Sequence, residues 1–566
     1  MKYLGFLLLF LMAIAPVAAQ DNTSPWNGSP SPKYEVRAVW LTTLNGLDWP
    51  RTQGSASQKQ ELIHILDQLH QAGVNTVLFQ ARVRATTIYP SQMEPWEPTL
   101  VGSSKSPGYD PLQFCIDECH KRGMECHAWV CTIPIGKWNR VGCKEMRKKY
   151  PKLIKRIADE AYMDPANPLT ASYLSRICKE IVSHYDVDGI HLDYIRYPET
   201  WKLKISKSKA RDHITHIVRE IHKTVKAEKP WVKISCSPIG KHGDLTRYRA
   251  GGWNAFNTVA QDAQRWMREG LMDQLYPMMY FQGDHFYPFA IDWQEKSNGR
   301  TVVSGLGIYF LDPKEGKWTH DIIEREMSFT RQVGLGHCYF RSKFLTDNHQ
   351  GIYDFASAFD RIPALVPPMT WANKPVPSAP TTLTIDGNQL SWAGAHDNSG
   401  ALHLLYNIYA SSEFPVDINK AENILAVRLS STSTMVPANW RNYAVTAIDR
   451  YGQESEPIQL QVLPSSTGSH SKPSGTMASD KRSTHPLPVI MSDGKSVSLP
   501  SKGSTLDADF IIIETMQGSG IAVRPYTEQL DVTDIPDGMY QIRSLGKKGR
   551  THKLTYLYLK RNKHIL

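Results

Sequence analysis

Residues 186–198 read DVDGIHLDYIRYP and set a carboxylate, Asp193, directly after the apolar run Gly189-Ile190-His191-Leu192. A run this short and continuous suits a strand buried on both faces, and Pro198 stops it. Tyr194, Arg196 and Tyr197 follow at once, so an acid, a cation and two phenol rings gather within five positions. In a parallel α/β barrel the C-terminal strand ends carry the active site, and an acid there is expected to transfer a proton or attack as a nucleophile. The competing reading is structural, with Asp193 capping the next helix or pairing with Arg196.

The elements that would position Asp193 follow from periodicity. From residue 34 to about 360, β-rich runs alternate with amphipathic helical stretches, the pattern of a parallel sheet with crossover helices. Strands are expected at 35–41, 75–80, 125–130, 189–193, 232–236, 274–279, 302–306 and 336–340. Helices are expected at 58–71, 111–122, 169–184, 208–226, 258–269, 321–333 and 353–362, with a short one after Phe289. The fold class is therefore α/β, a (β/α)8 TIM barrel over residues 34–362. Long connections at 82–109, 131–168 and 280–288 all leave the strands' C-terminal side, where they would wall a cleft.

The strand ends supply Trp40 and Asn45 from strand one, Gln80, Arg82 and Arg84 from strand two, and His127 and Trp129 from strand three. Strand four adds His191, Asp193 and Arg196, strand five Ser237, and strand six Tyr276, Tyr280 and Gln282. Aromatic faces pack on the apolar side of pyranose rings, while Arg, Gln, Asn and His reach hydroxyls and acetamides, so the set suits a sugar. Trp96 in EPWEP and Trp253 in GGWN lie in loops and are further candidates for stacking.

Glycosidic cleavage ordinarily uses two carboxyl groups. Strand five ends in Ser237-Pro238, so the second acid must come from a loop, and Glu94, Asp284 and Glu199 are the candidates in that order. Each has a structural alternative: Glu94 pairing with an Arg, Asp284 shaping a turn beside Gly283, Glu199 capping a helix.

The 566 residues, 41% hydrophobic, are too many for one core, and several domains are expected. Residues 1–20 read as an export signal: Lys2, an apolar stretch over 4–16, then Val17-Ala18-Ala19. No Cys follows those small residues and no later apolar run is long enough to span a bilayer, so a periplasmic, cell-surface or secreted protein is expected. The formal charge of +10 is partly local, since residues 541–566 hold no Asp or Glu; a Lys-studded β-edge accounts for it without a nucleic-acid partner. All eight Cys lie between Cys115 and Cys338, fewer than a disulfide scaffold needs. Cys115, Cys119, His120, Cys126 and His127 lack paired knuckles, so buried packing outweighs zinc, and no metal or cofactor is expected. A Cys126 to Cys131 disulfide stays open.

After the barrel, residues 376–463 alternate like a β-sandwich, 464–487 are a Ser/Thr/Gly/Pro linker, and 488–566 form a small β-rich domain. Pro380, Trp392, Tyr406 in YNIYAS and Tyr443 in YAVTAIDRYGQES resemble a fibronectin type III module. The run DVTDIPDGMYQIRSL resembles a secretion-sorting β-domain of some Gram-negative bacteria, implying a cell-surface or secretion-machinery contact; a binding or spacer sandwich is the alternative.

EVRAVWLTTLNGLDWP from Glu35, GVNTVLFQARVRATTIYPSQMEPW from Gly73, PGYDPL, KRGMECHAWV, DGIHLDYIRYP, ISCSPIG and QLYPMMY resemble, in order and spacing, the glycoside-hydrolase-like family ten barrels. The resemblance implies extracytoplasmic polysaccharide hydrolysis, one branch of the family digesting peptide-free peptidoglycan strands. It implies catalysis by Asp193 and ligand contacts at Arg82, Tyr89, His127, Trp129, His191, Arg196 and Tyr280. Many members carry Gly-Asp where this chain has Ala85-Thr86, which removes one acid. The chitinase pattern would place a Glu where Ile195 stands, so a substrate-assisted route through an N-acetyl group stays open. Two other readings compete: a non-catalytic carbohydrate-binding or surface-scaffold protein, and a metal-dependent hydrolase built on His127, His191 and Asp193.

Overall fold

Apolar runs separated by amphipathic helices close into a barrel of eight parallel strands. The computed structural model describes residues 31–437, 440–462, 489–492, 495–499, 510–515, 520–535, 538–545 and 551–559. The export signal and the linker expected at 464–487 lie outside the described residues. The barrel strands are β1 (Arg37–Leu41), β2 (Thr76–Arg82), β3 (Glu125–Cys131), β4 (Gly189–Asp193), β5 (Lys233–Cys236), β6 (Gln274–Leu275), β7 (Thr301–Leu306) and β8 (Gly336–Phe340). Each pairs with its sequence neighbour, and β8 closes on β1 with His337 opposite Arg37.

Every residue of β1 to β5 is buried, as a sheet covered on both faces requires. Outward residues such as Val39, Val77, Ile190 and Ile234 pack under the helices, while Ala38, Trp40, Leu78, Trp129, Tyr276, Val303 and Cys338 fill the interior. Bulk on one strand is matched by its absence on another. A Cβ at Gly189 would stand 2.5 Å from His127 Nδ1, and one at Gly305 would stand 3.0 Å from the Trp40 ring.

The helices begin where capping chemistry says they should. Asp110 accepts from Leu112 N and Gln113 N ahead of Pro111–Lys121, and Asn167 accepts from Leu169 N ahead of Pro168–His184. Pro follows the cap in both, where its missing N–H costs nothing.

Three expectations are corrected. β6 is two residues rather than six, because Pro277 has no N–H for the ladder; pairing resumes at Met278, which bridges Ile239 and Gly305. The helix expected at 258–269 is split into Ala255–Thr258 and Ala263–Arg268. Between them Ala260 turns left-handed at φ 55°, and Gln261 is spent on the rim, accepting from Ile239 N at 3.0 Å and donating to Ile195 O at 3.4 Å. The connection at 131–168 is folded, with Pro134–Lys137, Ile154–Ile157 and Glu160–Met163 forming an antiparallel sheet around helix Val141–Lys149.

After the barrel, a three-stranded and a four-stranded sheet enclose Leu390, Trp392, Tyr406, Ile408, Tyr443 and Val445. This sandwich is latched to the barrel's N-terminal face. Arg428 donates to Glu125 at 3.0 Å and Asp188 at 2.6 Å, Arg450 to Asp186 at 2.8 Å, and Lys33 pairs with Glu454 at 2.5 Å. The strand ends that carry Asp193 point the other way and stay clear of it. In the C-terminal unit a five-stranded mixed sheet and a two-stranded one share a core of Val497, Ile511, Ile513, Leu530, Ile542 and Leu557. No helix among the described residues is long and apolar enough to cross a membrane.

Candidate active site

Asp193 is the last residue of β4, and the chain turns sharply after it: Tyr194 sits left-handed at φ 52°, strain of a kind that collects at functional sites. The turn aims Tyr194 N at Asp193 Oδ1 (2.8 Å), which also accepts from Ser237 Oγ at the end of β5 (2.8 Å). Oδ2 accepts from Trp129 Nε1 of β3 at 3.1 Å. The residue keeps 8% of its surface open. Burial pushes its carboxyl above the ordinary range, against the pull of Ser237, Tyr194 N, the Arg196 charge and Trp129. Asp193 is thus a carboxyl that holds its proton longer than an exposed one, in a fixed orientation.

A second carboxyl is tuned the other way. Arg196 lies over the Tyr194 ring, 4.6 Å from its centre, and its Nη2 holds Glu199 Oε1 at 2.8 Å. Burial would raise Glu199, but the hydrogen bond and charge of Arg196 outweigh it and hold the group below the usual range. Arg196 thus acts on both carboxyls, through its charge on Asp193 and through a hydrogen bond and charge on Glu199.

Donors without partners face this region. Arg196 Nε and Nη1 and the Tyr280 hydroxyl are buried and bond to nothing among the described residues. The Tyr280 ring is packed against Phe340 (5.3 Å) and Tyr309 (5.7 Å). Burial pushes its hydroxyl well up, with the Asp193 charge among the further causes, so it stays a neutral donor. Unsatisfied buried donors call for a ligand or water. The floor beneath is neutral: His191 Nε2 accepts from Trp40 Nε1 at 3.1 Å, which leaves Nδ1 to donate to Ser235 Oγ at 2.9 Å. Burial, with the His127 charge, holds His191 well below its usual range.

Residues 35–207 and 201–309 match the sequence profile described as Glycosyl hydrolase-like 10. Glycosyl hydrolase DigH of Escherichia coli (strain K12) is 30% identical over 322 residues, covering 49% of this chain and 73% of DigH. This chain belongs to the glycosyl hydrolase-like 10 family. It is a glycoside hydrolase. Glycosyl hydrolase YngK of Bacillus subtilis (strain 168) is 29% identical over 483 residues, covering 76% of this chain and 94% of YngK. Among solved structures, alpha-L-fucosidase isoenzyme 2 from Paenibacillus thiaminolyticus aligns with TM-score 0.41 and 16% identity over 62% of this chain and 52% of that one.

Within this glycosyl hydrolase-like 10 barrel the expected site residues divide. Asp193, Trp129, Ser237, Arg196 and Tyr280 come together as described. Trp129 serves the carboxylate through its indole N–H, where a stacking face was expected. Arg84 is part-exposed on the same rim, 3.9 Å from Glu160 of the small sheet. Gln282 and Asp284 are exposed on the turn after β6; Asp284 lies in the short helix Gly283–His285, and Gln282 opens on a cavity of about 590 Å³ beside Tyr287 and Phe329.

The others are structural, for reasons the coordinates make plain. Arg82 is sealed and grips Glu94 through Nε and Nη2 (2.7–3.1 Å), with Nη1 turned to the carbonyls of Cys131 and Thr132. Glu94 also accepts from Tyr173 at 3.0 Å, so it braces the β2 and β3 ends in the Arg pairing that was its structural alternative. Tyr89 is buried, its hydroxyl on Glu180 at 3.2 Å, and Trp96 is half-buried against the core. His127 lies deep in the barrel on Glu125 (3.0 Å), and Tyr276 donates to Gln274 at 3.0 Å beside His191. Of these, all but Trp96 are buried, each with a polar group bonded to a protein partner.

Among the described residues, two clusters have metal-binding residue types. The Sγ atoms of Cys115 and Cys119, both on helix Pro111–Lys121, and of Cys126 on β3 lie within 4.8 Å of one another in the core between helix and strand. Glu35, His337 and Asp360 converge too, but Arg37 and Arg331 already supply the positive charge there. All eight Cys are free, including Cys126 and Cys131. His127, His191 and Asp193 do not converge as a ligand cluster among the described residues, and both His191 ring nitrogens are engaged by Trp40 and Ser235, which speaks against the competing metal-dependent reading. Sequence reasoning missed the roles of Gln261, Tyr309 and Phe340, since nothing in the run NTVAQDAQR marks Gln261 apart from the other polar residues beside it.

Proposed function

We propose that this glycoside hydrolase is exported and cleaves glycosidic bonds in a polysaccharide or in peptidoglycan glycan strands, with Asp193 as the general acid. The observation that carries the reading is the Asp193 carboxyl itself: buried at a strand's C-terminal end, raised above its ordinary range, and oriented by Ser237, Trp129 and Tyr194 N. Glu199, kept ionised by Arg196, is the carboxylate that takes the complementary role of base or nucleophile. The free N–H groups of Arg196 and the Tyr280 hydroxyl suit sugar oxygens or an N-acetyl carbonyl. Export rests on Lys2, the apolar stretch over 4–16 and the small residues that follow.

We read the sandwich as a fibronectin type III-like spacer. It is supported by the three-plus-four sheets, Trp392 in the core, and the Tyr443 hydroxyl that reaches back to Pro437 O at 2.9 Å. The C-terminal unit is proposed to serve surface or secretion contacts.

The test is a glycan panel. Full-length protein incubated with peptide-free peptidoglycan strands, chitin oligomers and neutral polysaccharides is expected to release new reducing ends from at least one. Absence of product from all of them, under conditions where the protein remains folded, would overturn the proposal.

A further inference from the structure

The loop after β5 holds an arrangement that proton transfer at Asp193 does not use. It folds back through the Leu245 to Ala250 bridge. Asp244 Oδ1 then accepts from Gly252 N at 3.0 Å and Asn254 Nδ2 at 3.3 Å, the two residues that flank Trp253. Asn254 Oδ1 caps the next helix through Asn257 N at 2.8 Å. Lys241 is buried without a carboxylate, its Nζ donating to Gly251 O at 3.1 Å and bonding His285 Nδ1 at 2.8 Å. There is no slack at the apex: a Cβ on Gly251 would stand 2.7 Å from Asp244 Oδ1, and Gly252 has φ +116°.

The backbone on both sides of Trp253 is therefore fixed, yet the residue is 44% exposed. On the same loop Tyr248 is 39% exposed, with the Arg247 guanidinium 4.5 Å from its ring centre and Arg247 itself held by Glu295 at 3.0 Å. The order of the loop is invested in presenting rings to solvent, not in burying them. This connection leaves the C-terminal end of β5, the same rim as Asp193, and its first residue is Ser237, which bonds Asp193.

We propose that Trp253 is a stacking platform for a sugar unit bound away from the scissile bond, with Tyr248 as a second ring, so that the enzyme grips an extended oligosaccharide chain. The apolar face of a pyranose lies on the indole, and a flat ring on a preset loop loses little freedom when it binds. Lys241 is a positioning residue, tying the loop apex to the turn after β6. The inference rests on the glycosidase reading.

The experiment compares full-length wild type with Trp253→Ala and Trp253→Phe on peptide-free peptidoglycan strands and chitohexaose as long probes and chitobiose as a short one. Trp253→Ala is expected to raise the ratio of long-probe to short-probe KM about tenfold, and Trp253→Phe to restore most of it. An unchanged ratio would overturn the platform. Binding of the same probes in an Asp193→Asn background separates the two claims. Long-probe binding that weakens with Trp253→Ala, when wild type releases no product, keeps the platform and removes the glycosidase proposal. Turnover with a Trp253-independent ratio and Trp253-independent binding does the reverse.

Discussion

Ser237 Oγ donates a 2.8 Å hydrogen bond to Asp193 Oδ1, tying the end of β5 to the end of β4. That bond favours the ionised carboxyl and opposes the upward push of burial. Removing it in Ser237→Ala leaves Asp193 with an even higher pKa. An acid catalyst works while protonated, so activity falls as pH rises through that value, and the alkaline limb of kcat is expected to move to higher pH in the variant. A pH profile of kcat for both proteins checks this; a limb that stays or moves down contradicts it.

Glu199, held by Arg196 at 2.8 Å, is assigned the ionised partner's role. Glu199→Gln is expected to lower kcat by about 10²- to 10⁴-fold with KM little changed. Asp284→Asn, on an exposed turn, is expected to stay in the wild-type range. Added azide or formate, which can occupy the space of a deleted carboxylate, is expected to restore part of the rate lost in Glu199→Ala.

The latch between sandwich and barrel predicts an acid-sensitive stability. Against burial, Lys233, His127 and Arg428 hold Glu125 at about 2, and Arg428 and His120 hold Asp188 well below its usual range. Groups depressed in the folded state stabilise it above their unfolded pKa, and that contribution is lost as pH falls, for Glu125 from 4.5 towards about 2. Arg428→Met removes one cation from each carboxylate, leaving Lys233 on Glu125 and His120 on Asp188, and is expected to cost about 1.5–3 kcal/mol at pH 7, a difference that narrows as the pH is lowered. Urea midpoints of both proteins across that range measure it.

Glu326 has the opposite sign. It is fully buried on His320–Gln332, and neither carboxyl oxygen has a partner among the described residues. Burial raises it well above the usual range despite Arg325, so its cost to the fold is absent below pH 4.5 and grows as pH rises towards the folded value. Glu326→Met is expected to stabilise the protein by about 1–3 kcal/mol near pH 8 and by less at pH 4. Thermal melts at the two pH values decide it.

The barrel was legible because strands buried on both faces read as apolar runs and the helices between them keep their period. β4 was predicted to the residue, Gly189–Asp193. Convergence at strand ends was also legible for Asp193, Trp129, Ser237, Arg196 and Tyr280. The failures share a cause: a residue's type does not say which side of a strand it leaves by, or what it meets there. Arg82 and Glu94 read as cleft groups, with an Arg pairing of Glu94 as the alternative, and it is that pairing, across twelve positions of sequence, that the structure shows. The pairing of Glu199 with Arg196, three residues earlier, depends on the left-handed turn at Tyr194, which residue type does not announce. The small sheet within 131–168 was illegible because its strands, four residues each, are too short to establish a period.

The central claim is that the Asp193 carboxyl delivers the proton that breaks the glycosidic bond. Turnover by full-length Asp193→Asn and wild type, on whichever glycan the wild type cleaves, tests it most directly. The account predicts a drop in kcat of about 10²- to 10⁴-fold with substrate binding retained and the melting temperature close to that of wild type. Turnover of the same glycan at the wild-type rate by a folded Asp193→Asn protein would contradict it.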